Sequence, residues 1–330
     1  MKFDVHSAPH IRSGNNNRRI MFDMLSTLAV IYFMSGYYYG ARVWTICGIS
    51  VLSGFVANTV SSLILYKKVN MMDFSFIVTS MLIGLIMPIG IPVKIIIIAN
   101  VFAIILGKHF FGGTGQNIFN PAAVGMAISI IMYGADIFKY EAPFDKSGAS
   151  YKSIAYNIFV GGVPQAKEYD ILIGNVASPI GTAFIYLILA CSLYLIVRRT
   201  IRWRQAILTL ITIGVGAYFF PRVNVNGWMS VFYEICAVPT LFFVLFMLTD
   251  PVTSPARAGA IDFYAVLSGI VILLFRHQSV FEISEPFAIL VLNFLVPTID
   301  SVAENLHTRR RRAIFAKRQQ ERQRDFIKEN

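Results

Sequence analysis

The chain has 330 residues, 56% of them hydrophobic and only 14% charged, with a mean hydropathy of +0.61. Soluble domains carry about one-quarter charged residues, so the composition argues against a disordered chain, a nucleic-acid-binding domain and an ordinary soluble enzyme. The net charge is nonetheless +11, from 29 Lys and Arg against 18 Asp and Glu, and the placement of those charges is the first question.

A membrane helix needs about 20 mostly apolar residues. Ten runs qualify in chain order: 20–40, 43–65, 73–89, 91–107, 120–134, 177–197, 205–221, 228–248, 258–275 and 283–300. The fifth is short for a straight span and opens on Asn120-Pro121, so it reads as a tilted or broken helix facing protein rather than lipid. Cytoplasmic loops are enriched in Lys and Arg. With the N-terminus inside and the spans alternating, 21 basic residues fall inside and 8 outside. The bias supports an even number of spans with both termini cytoplasmic. Trp44, Trp203 and Trp228 all sit at span ends, as an interfacial belt places them. The first 19 residues are polar and basic with no small-residue cleavage site after them, so no cleavable signal peptide is expected.

The expected fold is therefore an all-α integral membrane protein. It has a cytoplasmic segment 1–19, a ten-helix membrane domain 20–300 and a basic cytoplasmic tail 301–330. Ten spans divide into two halves of five, which would be oppositely oriented, the pattern of an inverted repeat with a site between the halves. Cys47, Cys191 and Cys236 lie within spans and the five His are scattered. A metal or iron–sulfur site needs clustered ligands, so no metal is expected.

Three segments are not ordinary loops. Gly112-Gly113-Thr114-Gly115-Gln116-Asn117-Ile118-Phe119-Asn120-Pro121-Ala122-Ala123 lies inside, between the fourth and fifth spans. Its glycines permit close backbone approach to a ligand and its Asn side chains donate and accept; the plainer reading is a turn into a proline-started helix. Thr249-Asp250-Pro251-Val252-Thr253-Ser254-Pro255 lies on the same side after the eighth span. Asp250 is either a helix cap or an acceptor for a polar ring system, and the two segments could share one pocket. The outer segment 135–176 contains Asp145-Lys146-Ser147-Gly148-Ala149-Ser150. A loop this long without a core of its own is functional or disordered, and the motif alone reads first as a hydrophilic turn around an accessible hydroxyl.

At these motifs, and in order over essentially the whole chain, the sequence resembles the RnfD/NqrB family. That family comprises the D-type membrane protein of the Rnf electron-transport complex and its B-type homologue in the sodium-pumping NADH:quinone reductase (Nqr). The length favours the Rnf type. The resemblance implies a flavoprotein of the bacterial cytoplasmic membrane, working with the other Rnf subunits. It implies FMN bound through its phosphate to a hydroxyl by a dedicated flavin transferase. The matching position is Ser150, where the family normally has Thr, within Ser147, Gly148 and Ala149. It also implies a noncovalent riboflavin, for which Thr114, Asn117, Asn120 and Asp250 are the candidate contacts.

Intramembrane acids are functional-site candidates by default. Asp23, Glu234, Asp262 and Glu285 lie in or at the ends of spans, and Glu234, inside the eighth, is the candidate for an ion pathway; the alternative is a partner for an intramembrane donor. The tail is drawn to anionic lipid or docks a partner protein of the complex; nucleic acid is not expected. No dinucleotide loop or cysteine cluster is present, so NAD and ferredoxin belong to other subunits. Two rival readings remain open: an Nqr-type quinone-reducing subunit and a flavin-free inverted-repeat transporter.

Overall fold

The computed structural model describes residues 17–67, 73–145, 147–278 and 280–329, with side chains except at residues 258 and 309–329. Lys2, Arg12, Lys68 and Lys146 lie outside the described residues.

Each apolar run carries helix. The first half holds α1 (Asn17–Tyr39), α2 (Arg42–Tyr66), α3 (Ser75–Ile86), α4 (Val93–Phe102) and α5 (Pro121–Ile137). A π turn over Ala103–Lys108 and a 3-10 turn over His109–Phe111 continue α4. Two short helices follow, α6 (Ile154–Phe159) and α7 (Glu168–Ile173). The second half holds α8 (Ile185–Val197), α9 (Trp203–Phe219), α10 (Gly227–Phe232), α11 (Thr240–Phe243), α12 (Ala258–Gln278) and α13 (Glu285–Glu329). Helix is what lipid demands, because every backbone polar group must be satisfied within the segment.

Among the described residues, five helices are long and apolar enough to cross a bilayer alone: α1, α2, α4 with its continuation to Phe111, α12 from Gly259, and α13 to Thr308. A sixth crossing is bent, Gly227–Ala237 meeting Thr240–Leu248 at 59°. The remaining apolar helices are shorter, α3, α5 and α8 having 12, 17 and 13 residues. As expected from Asn120-Pro121, α5 is irregular: Pro121 is its first residue and the backbone departs from helix at Tyr133.

The two halves repeat one packing order. In the first, α2 packs on α3 and α4, and α4 on α5; in the second, α9 packs on α10 and α12, and α12 on α13. Across the halves α1 meets α8 and α5 meets α13. The third element of each half stops in the same way. Met87 before Pro88 and Val238 before Pro239 are both extended, the conformation that a following proline imposes. One apolar core, including Leu28, Ile83, Ile95, Met126, Phe243 and Ile289, joins both halves.

Three expectations need correction. The sixth span was expected from 177, but helix begins only at Ile185. The preceding segment is held non-helical by tertiary bonds, Ile180 N donating to Met87 O (3.1 Å) and Gly181 N to Leu85 O (2.8 Å). The 135–176 segment does have a core: Ile154, Ile158 and Ile171 pack with Val223, Tyr233 and Val238 from the second half. The tenth helix does not end at 300 but runs unbroken into the tail.

Candidate functional site

Two polar regions lie at opposite ends of the bundle. Helix α1 gives their relation. Ile20, Met21 and Met24 at its start line a cleft at one end. Near its finish, at the other end, Tyr38 O accepts from Phe144 N (2.9 Å) and the Tyr38 hydroxyl donates to Ile173 O (3.2 Å).

The first region joins the two signature segments. Thr114, Gly115, Asn117, Asn120 and Pro121 from one, and Thr249 to Val252 from the other, line a single cleft of about 100 Å³. Its walls include Met24, Leu82, Ile201 and Phe246. Ligand sites are typically apolar clefts with a few placed polar groups, and this one has that character.

The segments meet because buried amides tie them. Asn120 caps α5, its Oδ1 accepting from Ala122 N (3.0 Å) and Ala123 N (3.3 Å). Its Nδ2 donates to Met247 O (3.1 Å), just ahead of the Asp250 segment. Asn293 on α13, fully buried, closes the joint: its Oδ1 accepts from Asn120 N (2.9 Å) and its Nδ2 donates to Thr253 O (3.2 Å). Gln205 Nε2 donates to Leu248 O (2.8 Å) and Ser254 Oγ (3.1 Å) from the other side. The proline-started helix expected here is therefore present with Asn120 as its cap, and the Asn120 side chain is committed to holding the cleft together. Asn117 Nδ2 donates to Phe119 O (3.1 Å). Asp250 Oδ1 accepts from Val252 N (3.1 Å), and burial raises its carboxyl above the ordinary range against the pull of that N–H.

A charged cluster backs the glycine loop. Thr114 Oγ1 donates to Asp73 Oδ2 (2.7 Å), and Lys108 Nζ donates to the same oxygen and to Asn58 Oδ1 (2.8 Å). His109 Nε2 lies 3.0 Å from Asn58 Oδ1. Lys108 lines the cleft although its side chain is almost fully buried. Reading loop by loop missed Lys108, Asp73 and Asn293; the signal was a lysine directly ahead of the glycine loop and an asparagine inside an apolar run.

The second region carries the outer motif. Asp145 folds the turn: its Oδ1 accepts from Ser147 N (2.8 Å) and its Oδ2 from the Tyr151 hydroxyl (2.9 Å). The Ser147 hydroxyl and N–H, with Tyr151, hold the Asp145 carboxyl below its usual range. Ala149 N donates to Ser147 Oγ (3.2 Å), and Gly148 takes the left-handed conformation, φ 69°. A two-stranded bridge between Tyr140 and Tyr151 anchors the end of the turn. Ser147 to Ser150 are exposed, so the Ser150 hydroxyl is presented on an ordered turn.

Glu234 is not a lone acid. Arg222 Nε donates to its Oε1 (2.6 Å) and Arg276 to its Oε2. Arg276 also pairs with Glu285, giving a buried network of two arginines and two glutamates. The other span acids are paired as well, Asp23 with Arg198 (3.0 Å) and Asp262 with Arg204 (2.6 Å). Trp44, Trp203 and Trp228 are exposed near helix starts.

Comparison with known proteins agrees with this arrangement. Residues 4–308 match the NQR2, RnfD, RnfE family. The chain is 28% identical over 343 residues to the D-type component of the ion-translocating oxidoreductase complex of Actinobacillus succinogenes, an alignment covering 90% of this chain and 95% of the relative. It is 25% identical over 312 residues to the D-type component of the Na(+)-translocating ferredoxin:NAD(+) oxidoreductase complex of Acetobacterium woodii, covering 91% and 93%. A family match over nearly the whole length, with both signature segments meeting in one cleft, assigns the protein: the chain belongs to the NQR2, RnfD, RnfE family.

Proposed function

We propose that the protein is the D-type membrane component of an Rnf ion-translocating ferredoxin:NAD oxidoreductase, and that it relays electrons across the bacterial cytoplasmic membrane through two flavins. FMN is attached as a phosphoester at Ser150 by a flavin transferase, and riboflavin occupies the cleft at the opposite end. The lysine and arginine distribution supports cytoplasmic termini, with the cleft inside and Ser150 outside.

One observation carries this reading: Thr114, Asn117, Asn120 and Asp250, drawn from segments far apart in sequence, line one cleft, at the end away from Ser150. The residues fit the group. An apolar cleft with Asn117, Thr114 and Asp250 at its edge suits a flat ring system with polar substituents. Asn120 and Asn293 hold the cleft's shape, and Lys108, ion-paired with Asp73, lines its wall. The exposed Ser150 hydroxyl suits attachment by an external enzyme. When bound, flavin supplies the redox chemistry, and the protein supplies position, insulation and electrostatics. Glu234, held between two arginines, serves this reading as a fixed charge of the bundle rather than as a mobile-ion ligand.

The test uses the complex purified from a host with the transferase. On a denaturing gel this protein should fluoresce in the flavin channel, Ser150→Ala should abolish the band, and mass spectrometry should place FMN on the Ser150 peptide. A band that survives Ser150→Ala moves the attachment elsewhere. A colourless native protein supports the flavin-free transporter instead.

A further inference from the structure

A second cavity lies towards the Ser150 end. It is lined by Tyr140, Ser153, Ser178, Thr182, Cys236 and Glu282 among others, with a volume of about 20 Å³, room for one water molecule. Glu282, in the α12–α13 connection, is 6% exposed. Its Oε1 accepts from Ser153 Oγ (3.0 Å), while its Oε2 has no hydrogen-bond partner among the described residues. The fully buried Tyr140 hydroxyl has none either. The Tyr140 hydroxyl lies within interaction range of the Glu282 carboxyl and favours its charged form, at a geometry that falls short of a well-formed hydrogen bond.

Charge counting isolates Glu282 further. The neighbouring network of Arg222, Arg276, Glu234 and Glu285 is internally neutral, so Glu282 adds a negative charge that this network does not compensate. The groups that face it are Tyr140, Ser153, Glu285 and Lys152. Lys152 is exposed with its ammonium over the Tyr156 ring, 4.4 Å from the centroid. Cys236 completes the titratable lining. A buried carboxylate without full compensation takes up a positive charge or loses its own.

We propose that Glu282 is a proton-binding site on the outer side of the bundle, with Tyr140 facing its free oxygen and Ser153 linking it to the exposed strand at Tyr151 and Lys152. Its place repeats that of the inner cleft: the connection between the fourth and fifth spans lines the cleft, and the connection between the ninth and tenth lines this cavity. Burial pushes the Glu282 carboxyl up to about 7, so a proton is exchangeable near neutral pH. Proton binding at Glu282 does not rest on the flavin reading; only its use in a translocating complex does.

The experiment is infrared difference spectroscopy of the assembled complex, titrated in pH, with wild type, Glu282→Gln and Ser153→Ala. Wild type should show the carbonyl stretch of a protonated carboxylic acid titrating near 7, and Glu282→Gln should lose that band. Ser153→Ala removes the donor that favours the charged form and should move the midpoint up by about one unit. An unchanged band in Glu282→Gln overturns the proposal. If Glu282→Gln does not assemble, an unchanged midpoint in Ser153→Ala overturns it equally. A midpoint that moves with sodium at constant ionic strength also overturns it, by making the site an alkali-cation site. The readout needs no flavin, so failure of the Ser150 reading leaves it decisive.

Discussion

The Asn120 cleft depends on how closely α5 approaches α4, and two glycines set that distance. A Cβ on Gly125 would stand 2.4 Å from Ala99 O and 2.8 Å from Ala103 Cβ; one on Gly107 would stand 2.6 Å from Pro121 Cα. Close approach through small residues is how helices associate within lipid. Gly125→Ala therefore meets backbone, which no rotamer change relieves. Restoring ordinary contact at 3.4 Å requires the helices to part by about 1 Å. Overpacking of this kind costs about 1–3 kcal/mol, against a helix-propensity gain of up to about 1 kcal/mol for replacing glycine, so the net is a loss of about 0–2 kcal/mol once the full gain is subtracted. Gly48 on α2 is the control: a Cβ there meets nothing within 4 Å, so Gly48→Ala keeps the propensity gain and should be neutral or stabilising. The assay is thermal unfolding in detergent, followed by a thiol-reactive dye that reports exposure of Cys191, which is buried in the folded chain. Gly125→Ala should lower the midpoint and Gly48→Ala should not. A Gly125→Ala midpoint above wild type would refute the claim that this contact sets the cleft.

Other predictions follow from the buried polar groups. Arg276→Met strands Glu285 and half of Glu234, and removing one partner of a buried pair costs about 3–5 kcal/mol; adding Glu285→Gln should recover part of the lost thermal midpoint. Asn293→Leu leaves Asn120 N and Thr253 O unpaired, at about 1–3 kcal/mol for each group. On the proposed two-flavin reading, it should lower the content of acid-extractable flavin and leave a fluorescent band at Ser150 intact. Glu282 has its folded value raised above the unfolded one, so its stabilisation is full below about 4.5 and is lost as pH rises through about 7. The loss totals about 3 kcal/mol, and the thermal midpoint of Glu282→Gln should not fall over that interval.

The spans were legible because apolar runs of membrane length have few other uses, and the ends of α1, α2 and α9 fall within a few residues of the expected ones. What failed to read was set at long range. Residues 177–184 are apolar enough to be helix, but Ile180 and Gly181 bond to the end of α3 instead. The 135–176 segment looked coreless because its partners, Val223, Tyr233 and Val238, lie more than 45 residues on. Glu234 looked isolated because its arginines are 12 residues before it and 42 after it. Asn120 was legible as a site candidate ahead of a proline-started helix, and the structure adds a capping role: its Oδ1 caps α5 while its Nδ2 fixes the Asp250 segment.

The repeated packing order places one backbone break in each half. In each half the third element stops at an extended residue before proline, Met87 or Val238. Such a break frees backbone groups that lipid cannot satisfy, so each must be covered by the other half or by polar side chains. Met87 O accepts from Ile180 N. Beyond Val238, Thr240 N turns back to Val238 O, and the Thr240 hydroxyl donates to Glu234 O, where Arg276 also donates. Val238 and Pro239 themselves line the Glu282 cavity, beside the 177–183 segment that Leu85 and Met87 hold. The cleft built on Asn120 and the cavity built on Glu282 differ in charge: Lys108 in the cleft is paired with Asp73, whereas the network beside Glu282 is neutral without it.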